Sequence, residues 1–337
     1  MILDGRSPDA LAPAIAEAAR VLRAGGLVAF PTETVYGLGA DATSDMAVAG
    51  IFKTKGRPSD HPLIVHVAAG LKGTEALSRF AQPLPLFAQK LVQVFWPGPL
   101  TLIVTRQPGV GGAAAGGQDT IGLRCPSHPV AQALLEACAE LGVPGIAGPS
   151  ANRFGRVSPT TAQHVHDEFG DALLVLDGGA CEVGIESTIV DCSRGAPVLL
   201  RPGAITRAQI EAACGEKLAD RDLLDTPDPR ASGTLEAHYA PNAKVRLMDA
   251  KAIQTGLDVL GGNAAHIAVW ARTAMHTRSQ RVLLRRMPDD AAAGAQQLFA
   301  VLREFDAQGA KLIWIETPPD APEWEGVKDR LQRASMG

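Results

Sequence analysis

Short, wholly apolar runs alternating with helix-length amphipathic segments constrain this chain more than any other feature of its sequence. Residues 27–30 are apolar throughout, which suits a strand buried on both faces. They follow a helical pattern over 8–24, in which Leu11, Ile15, Ala18, Ala19 and Leu22 recur on one side before Gly25 and Gly26 stop it. The alternation continues, with helices expected at 44–53, 85–95, 129–141 and 160–169. Strands are expected at 63–67, 100–105, 121–124, 143–147, 173–176, 185–190 and 198–201. Some neighbouring strands are joined by loops too short for a crossover helix, so the fold class is α/β with a mixed sheet.

Periodicity lapses between about Glu216 and Asn242, where Asp225, Pro227, Asp228, Pro229, Ser232 and Gly233 crowd together as a linker does. Beyond it, strands are expected at 245–248, 266–270, 282–284 and 312–315, and helices at 250–260, 290–308 and 322–333. That pattern describes a smaller Rossmann-like α/β domain without a G-x-G-x-x-G fingerprint. The expected organisation is a first domain over 1–210, a linker over 211–242 and a second domain over 243–337. The glycine-rich stretch 109–117 reads as a mobile surface loop.

Composition narrows the function classes. Aromatic residues make up only 4% of the chain, so its cores must be packed from Ala, Val, Leu and Ile; hydrophobic and charged fractions of 46% and 20% exclude general disorder. A net charge of −4, with 15 Lys and Arg against 18 Asp and Glu over residues 1–204, excludes a surface that traps nucleic acid everywhere, though not a local basic pocket. No apolar run approaches the ~20 residues of a membrane span, and the first residues lack a basic stretch followed by an apolar one. A cytoplasmic location is expected. Five cysteines without a C-x-x-C pair suggest small buried hydrophobes, and the scattered histidines offer no metal cluster.

Three constellations could carry chemistry. Lys53, Lys55 and Arg57 surround Gly56 at a helix end, where they either cap the helix dipole or clamp a polyphosphate. Ser150 and Asn152, in Gly148-Pro-Ser-Ala-Asn152, follow the apolar strand 143–147; they form either a plain turn or ligand contacts at a strand end. Ser158-Pro-Thr-Thr161 either caps the next helix or joins them. Glu186-Ser-Thr-Ile-Val-Asp191 and Arg201-Pro-Gly203 are polar segments at strand ends, while His66 and Arg124 sit on apolar strands where structural roles are equally natural. There is no G-x-x-x-x-G-K-[ST] phosphate loop.

The order of these elements is more specific than any one of them. Pro31-Thr-Glu-Thr-Val-Tyr-Gly-Leu-Gly39, Lys55-Gly-Arg57-Pro58 with His61, Pro149-Ser-Ala-Asn152, Ser158-Pro-Thr160, Glu186 to Asp191 and Arg201-Pro-Gly203 closely resemble the YrdC-like domain of threonylcarbamoyl-AMP synthases. His238-Tyr-Ala-Pro241 followed by a small α/β domain resembles the long, two-domain form. The resemblance implies that L-threonine, bicarbonate or CO2, and ATP with Mg2+ give threonylcarbamoyl-AMP and diphosphate in a nucleotidyltransferase reaction. The product would serve a separate tRNA threonylcarbamoyl transferase complex acting beside the anticodon. By the same resemblance Lys55 and Arg57 are catalytic, and they contact ATP with His61, Thr120, Ser150, Asn152, Ser158, Arg201 and Tyr239. Thr34, His66, Arg124 and Ser187 surround threonine. No protein side chain is implied as a metal ligand, and the linker is expected to fold over the cavity. The segment Ala231-Ser-Gly-Thr-Leu235 departs from the Ser-Pro-Gly-Met type found in many relatives, and His61 stands where the family often has Asn. Two rival readings are a non-catalytic RNA-binding protein using a concave basic surface, and the carbamoyl-transfer step of hydrogenase maturation. The short length and the lack of zinc-finger cysteines oppose the second.

Overall fold

The computed structural model describes residues 1–219, 231 and 239–337, and the chain divides into two compact units. The first unit comprises residues 1–154 and 158–234, and the second comprises 155–157 and 235–337. In chain order the first unit contains β1 (Ile2–Asp4), α1 (Pro8–Arg23), β2 (Val28–Phe30), β3 (Gly37–Asp41), α2 (Asp45–Lys55), β4 (Ile64–His66), α3 (Gly70–Phe80) and α4 (Leu86–Phe95). It continues with β5 (Leu100–Thr105), β6 (Thr120–Arg124), α5 (Pro129–Glu140), β7 (Ile146–Ala147), α6 (Ala162–Phe169), β8 (Leu174–Asp177), β9 (Thr188–Asp191), β10 (Val198–Arg201) and α7 (Arg207–Cys214).

Its ten strands form one mixed sheet in the order β1-β8-β2-β3-β7-β4-β6-β5-β9-β10. At the centre β4 and β6 run parallel, with His66 opposite Arg124, while β7 lies antiparallel to β4 with Ile146 opposite His66. Side chains alternate across the sheet, so Val65 faces the large core covered by α2, α3, α4, α6 and α7. Ile64 and His66 point the other way. On that second face α1 and α5 cover one end, burying Val28, Phe30, Leu134 and Ile146. The other end is an apolar floor of Ile64, Ile103, Ile189, Val198 and Leu200, against which Ala219 and Ala231 pack.

Several elements depart from the sequence pattern. The expected strand 143–147 pairs only at Ile146 and Ala147, because Pro144 has no N–H to give to a ladder. The motif around Gly37 and Gly39, absent from the expected strands, is the strand β3: a side chain at Gly37, Gly39 or Gly148 would press on the Phe30 ring. The stretch 109–117 is a series of turns with exposed ends and a middle anchored in the core. Ala114 and Ala115 are fully buried, the Leu63 N–H donates to Ala114 O at 2.7 Å, and a Cβ on Gly116 would lie 2.6 Å from Asp60 O. All five cysteines are free and buried.

The second unit holds β11 (Lys244–Met248), α8 (Ala250–Leu260), β12 (Ile267–Ala271), β13 (Leu283–Arg286), α9 (Ala291–Ala307), β14 (Leu312–Glu316) and α10 (Glu325–Ser335). Its four strands are all parallel, in the order β11-β14-β12-β13. Three of the four tryptophans, Trp270, Trp314 and Trp324, fall here, and Trp270 and Trp324 are buried in its core. Among the described residues no helix is long and apolar enough to cross a membrane.

Candidate active site

Helix α2 ends at Gly56, whose left-handed backbone (φ 66°) lets its N–H cap Lys53 O. Because glycine closes the helix, the three cations divide. Lys53 stays exposed beside the helix end, whereas Lys55 turns inward and is only 3% exposed. Its Nζ donates to Ser150 O at 2.6 Å and also to Asn152 O, and its own carbonyl accepts from the Phe154 N–H. Burial, and then the nearby Arg57 charge, push the Lys55 ammonium well below its usual pKa. Arg57 Nη2 donates to Pro62 O at 2.9 Å, and its guanidinium lies 5.9 Å from the Phe154 ring centroid. The His61 ring meets the other side of this cluster edge-on to Phe154, 5.6 Å between centroids.

These residues gather at one edge of the sheet. Gly148 N–H bonds to Ile64 O and Ser150 bridges to Gly37, so the segment 148–152 leaves β7 at the end where β4 begins. Half-buried Thr120 opens β6 at the same edge, two residues before Gly122, the partner of Ile64.

A second group lies at the opposite edge. Arg124, 3% exposed, donates from Nη1 to Thr34 Oγ1 at 2.8 Å and from Nε to Gly98 O at 3.4 Å. Its Nη2 stands 2.7 Å from Glu33 Oε1 as an ion pair. His66 pairs with Arg124 across the ladder, and its ring packs edge-on to Phe30. Burial, reinforced by the Arg124 charge, lowers the His66 pKa to about 3, so the imidazole is neutral at ordinary pH. Ser187 Oγ shares a hydrogen bond with Thr101 Oγ1 at 2.7 Å and accepts from Arg201 Nη2 at 3.2 Å, while Arg201 Nε donates to Ser187 O.

The structure therefore regroups the expected contacts. Lys55, Arg57, His61, Thr120, Ser150 and Asn152 come together at one edge; Thr34, His66, Arg124 and Ser187 come together at the other, and Arg201 joins the second group. The chain takes four residue steps from Pro62 to His66 at the end of β4, a span of at most about 13 Å. The apolar floor lies between, with Gly122 leaving its middle low. Ser158 does not cap helix α6, a role taken by Thr161; it is fully buried and donates to Glu186 Oε1. Glu186 lies close enough to raise the Lys55 pKa against the effect of burial. Tyr239 belongs to the second unit, 1% exposed, with its ring 5.4 Å from Phe299 and 5.5 Å from the Arg330 guanidinium. His238 and Ser232 to Leu235 lie outside the described residues.

Glu33, Thr101 and Glu186 were not singled out from the sequence as site residues. Glu33 and Glu186 stood inside quoted motifs, and the signal was a carboxylate next to threonine or serine hydroxyls ahead of an apolar strand.

Such a site defines a class: an α/β protein that buries cations and hydroxyls at both edges of an apolar sheet face, suited to an elongated anionic substrate. Residues 20–203 match the family model Sua5/YciO/YrdC, described as telomere recombination, and residues 205–336 match the model described as threonylcarbamoyl-AMP synthase, C-terminal domain. The threonylcarbamoyl-AMP synthase of Bacillus subtilis is 39% identical over 96% of this chain and 94% of its own length. That of Schizosaccharomyces pombe is 34% identical over 97% of this chain and 90% of its own. The crystal structure of P. abyssi Sua5 complexed with L-threonine matches with a TM-score of 0.88 at 35% identity, covering 100% of this chain and 98% of that one. The chain belongs to the Sua5/YrdC family of threonylcarbamoyl-AMP synthases.

Proposed function

We propose that this chain joins L-threonine, bicarbonate or CO2, and ATP into L-threonylcarbamoyl-adenylate with release of diphosphate, as a cytoplasmic nucleotidyltransferase. The product would feed a separate transferase complex that modifies tRNA beside the anticodon. The observation carrying this reading is the two-ended site: buried Lys55 and Arg57 at one edge of the sheet face, and Arg124 with Thr34 and Ser187 at the other. The family relatives give that geometry its chemistry.

Threonine would lie with its carboxylate toward Arg124 and its amine toward the floor. The deprotonated amine adds to CO2, forming a carbamate and releasing a proton. A carbamate oxygen then attacks the α-phosphorus in line, and the bond to the bridging oxygen of diphosphate breaks. Little covalent work falls to the protein, so charge neutralisation and alignment carry the rate. Lys55 and Arg57 would neutralise the phosphates, and Ser150, Asn152, His61 and Thr120 would orient the nucleotide. Among the described residues no three His, Cys, Asp or Glu side chains converge to hold a metal ion, so Mg2+ would enter with ATP as part of the substrate. The linker would close over the floor; its residues Ala219 and Ala231 pack against the floor's isoleucines and valine. No described feature favours the RNA-binding reading.

The test is release of diphosphate from ATP under bicarbonate with L-threonine, with L-serine and with no amino acid. Threonine-dependent release should fall about a hundredfold or more in Lys55→Ala and in Arg57→Ala, with both variants folded. Wild-type turnover in both would overturn the assignment of this edge.

A further inference from the structure

We propose that Glu33 is a positioning residue for the amino-acid substrate: it presets the Arg124 guanidinium so that the outward N–H groups of that side chain meet an incoming carboxylate. The inference rests on the reading that Arg124 receives the threonine carboxylate.

Both side chains are buried, Glu33 at 4% and Arg124 at 3% exposure. The two Glu33 oxygens have separate tasks. Oε1 stands 2.7 Å from Arg124 Nη2, and Oε2 accepts the Ser127 main-chain N–H at 3.1 Å. The Glu33 backbone is pinned as well, since its carbonyl accepts from the Val183 N–H at 2.8 Å. The carboxylate is thus a fixed clip between the end of β6 and the segment that follows it. Arg124 is held from two further directions, by Thr34 Oγ1 and Gly98 O.

A guanidinium carries five N–H groups, one on Nε and two on each Nη. With Nε directed at Gly98 O, one N–H of Nη1 at Thr34 and Nη2 held against Glu33 Oε1 by charge without an aligned hydrogen bond, both Nη atoms still have hydrogen to offer. One N–H from each is the fork that a carboxylate receives bidentately. Without Glu33 the same arginine would be a buried charge balanced by neutral acceptors only, free to swing about its long stem. Glu33 therefore balances the charge and keeps Nη2 in place, while the substrate touches Arg124.

The experiment measures binding of L-threonine and of L-threoninol, which has a hydroxymethyl group in place of the carboxylate, to the full chain by titration calorimetry. It compares wild type, Glu33→Gln, Glu33→Asp and Arg124→Gln, alongside diphosphate-release kinetics. A glutamine can serve Arg124 or Ser127 with its one oxygen but not both. Glu33→Gln should therefore weaken threonine about tenfold or more and raise its KM by a similar factor, leaving threoninol affinity and kcat within about twofold. Glu33→Asp, which keeps the charge, should restore part of the loss. Wild-type threonine affinity in Glu33→Gln, or equal losses for threonine and threoninol, would overturn the proposal. So would failure of both Glu33 variants to fold, since the role would then be structural. If Arg124→Gln binds threonine as wild type does, the reading of Arg124 fails and the proposal with it. If Arg124→Gln loses threonine selectively and Glu33→Gln does not, the Glu33 inference alone fails.

Discussion

Lowering the pH from 7.5 to 5.0 should weaken the first unit through His66. The imidazole is 3% exposed on β4, its Nδ1 has no hydrogen-bond partner among the described residues, and burial beside Arg124 lowers its pKa to about 3. In the unfolded chain the same group titrates near 6.5. Between those values the unfolded state binds a proton that the folded state refuses, so stability falls as pH falls through this window, by about 1.4 kcal/mol per unit. At pH 5.0 the loss is about 2 kcal/mol, a large share of an ordinary domain's stability of ~5–15 kcal/mol. The comparison is with His66→Asn, which cannot titrate; subtracting its pH dependence removes the contribution of other groups, including His128, whose pKa burial also lowers. Urea titrations at the two pH values, read by hydrogen exchange of peptides covering β4 and β6, report the first unit separately from the second. Parallel pH dependences in the two proteins would refute the reasoning, because they would mean that His66 takes up its proton equally well when folded.

Two further predictions concern packing. A Cβ at Gly203 would lie 2.5 Å from Thr188 N and 2.9 Å from Glu186 O, backbone atoms that cannot rotate away. Gly203→Ala should therefore cost ~1–3 kcal/mol by denaturant unfolding and raise the threonine KM by displacing Ser187, and an unchanged midpoint would count against the close approach. Tyr239→Ala should destabilise the second unit by ~3–5 kcal/mol, seen as faster exchange in α9, since it empties the space beside Phe299 and Arg330. Weakened nucleotide binding with α9 protection intact would instead support the expected ATP contact of this residue.

Helices closed by clear stop residues were legible from the sequence: 8–24 became Pro8–Arg23, and 85–95 became Leu86–Phe95. Elements that carry misleading residues were not. α3 begins at a glycine with no side-chain cap, and β3 carries two glycines whose absence of side chains makes room for Phe30. The glycines at 111 and 116 looked like loop flexibility for the same reason: local sequence shows a missing side chain but not the neighbour that requires it to be missing. Lys55 and Arg57 were legible as a fixed pair of cations, but the inward turn of Lys55 toward Ser150 and Asn152 depends on chain segments 95 and 97 residues away.

Sequence alone determined the alternation of elements, the mixed first sheet, the Rossmann-like α/β character of the second domain and the order of motifs that marks the family, because each is written in local periodicity or in neighbouring residues. Tertiary structure decided which motif meets which. Strand β7 runs against β4 while β6 runs with it, so residues that follow strands in the chain come out at opposite edges of one face. Ser150 thereby joins Lys55, Arg201 joins Ser187, and Glu33 closes on Arg124 from 91 positions away in the chain. Strand direction and register are collective properties of the sheet, fixed by burying one set of side chains against a common core, and no single segment carries them.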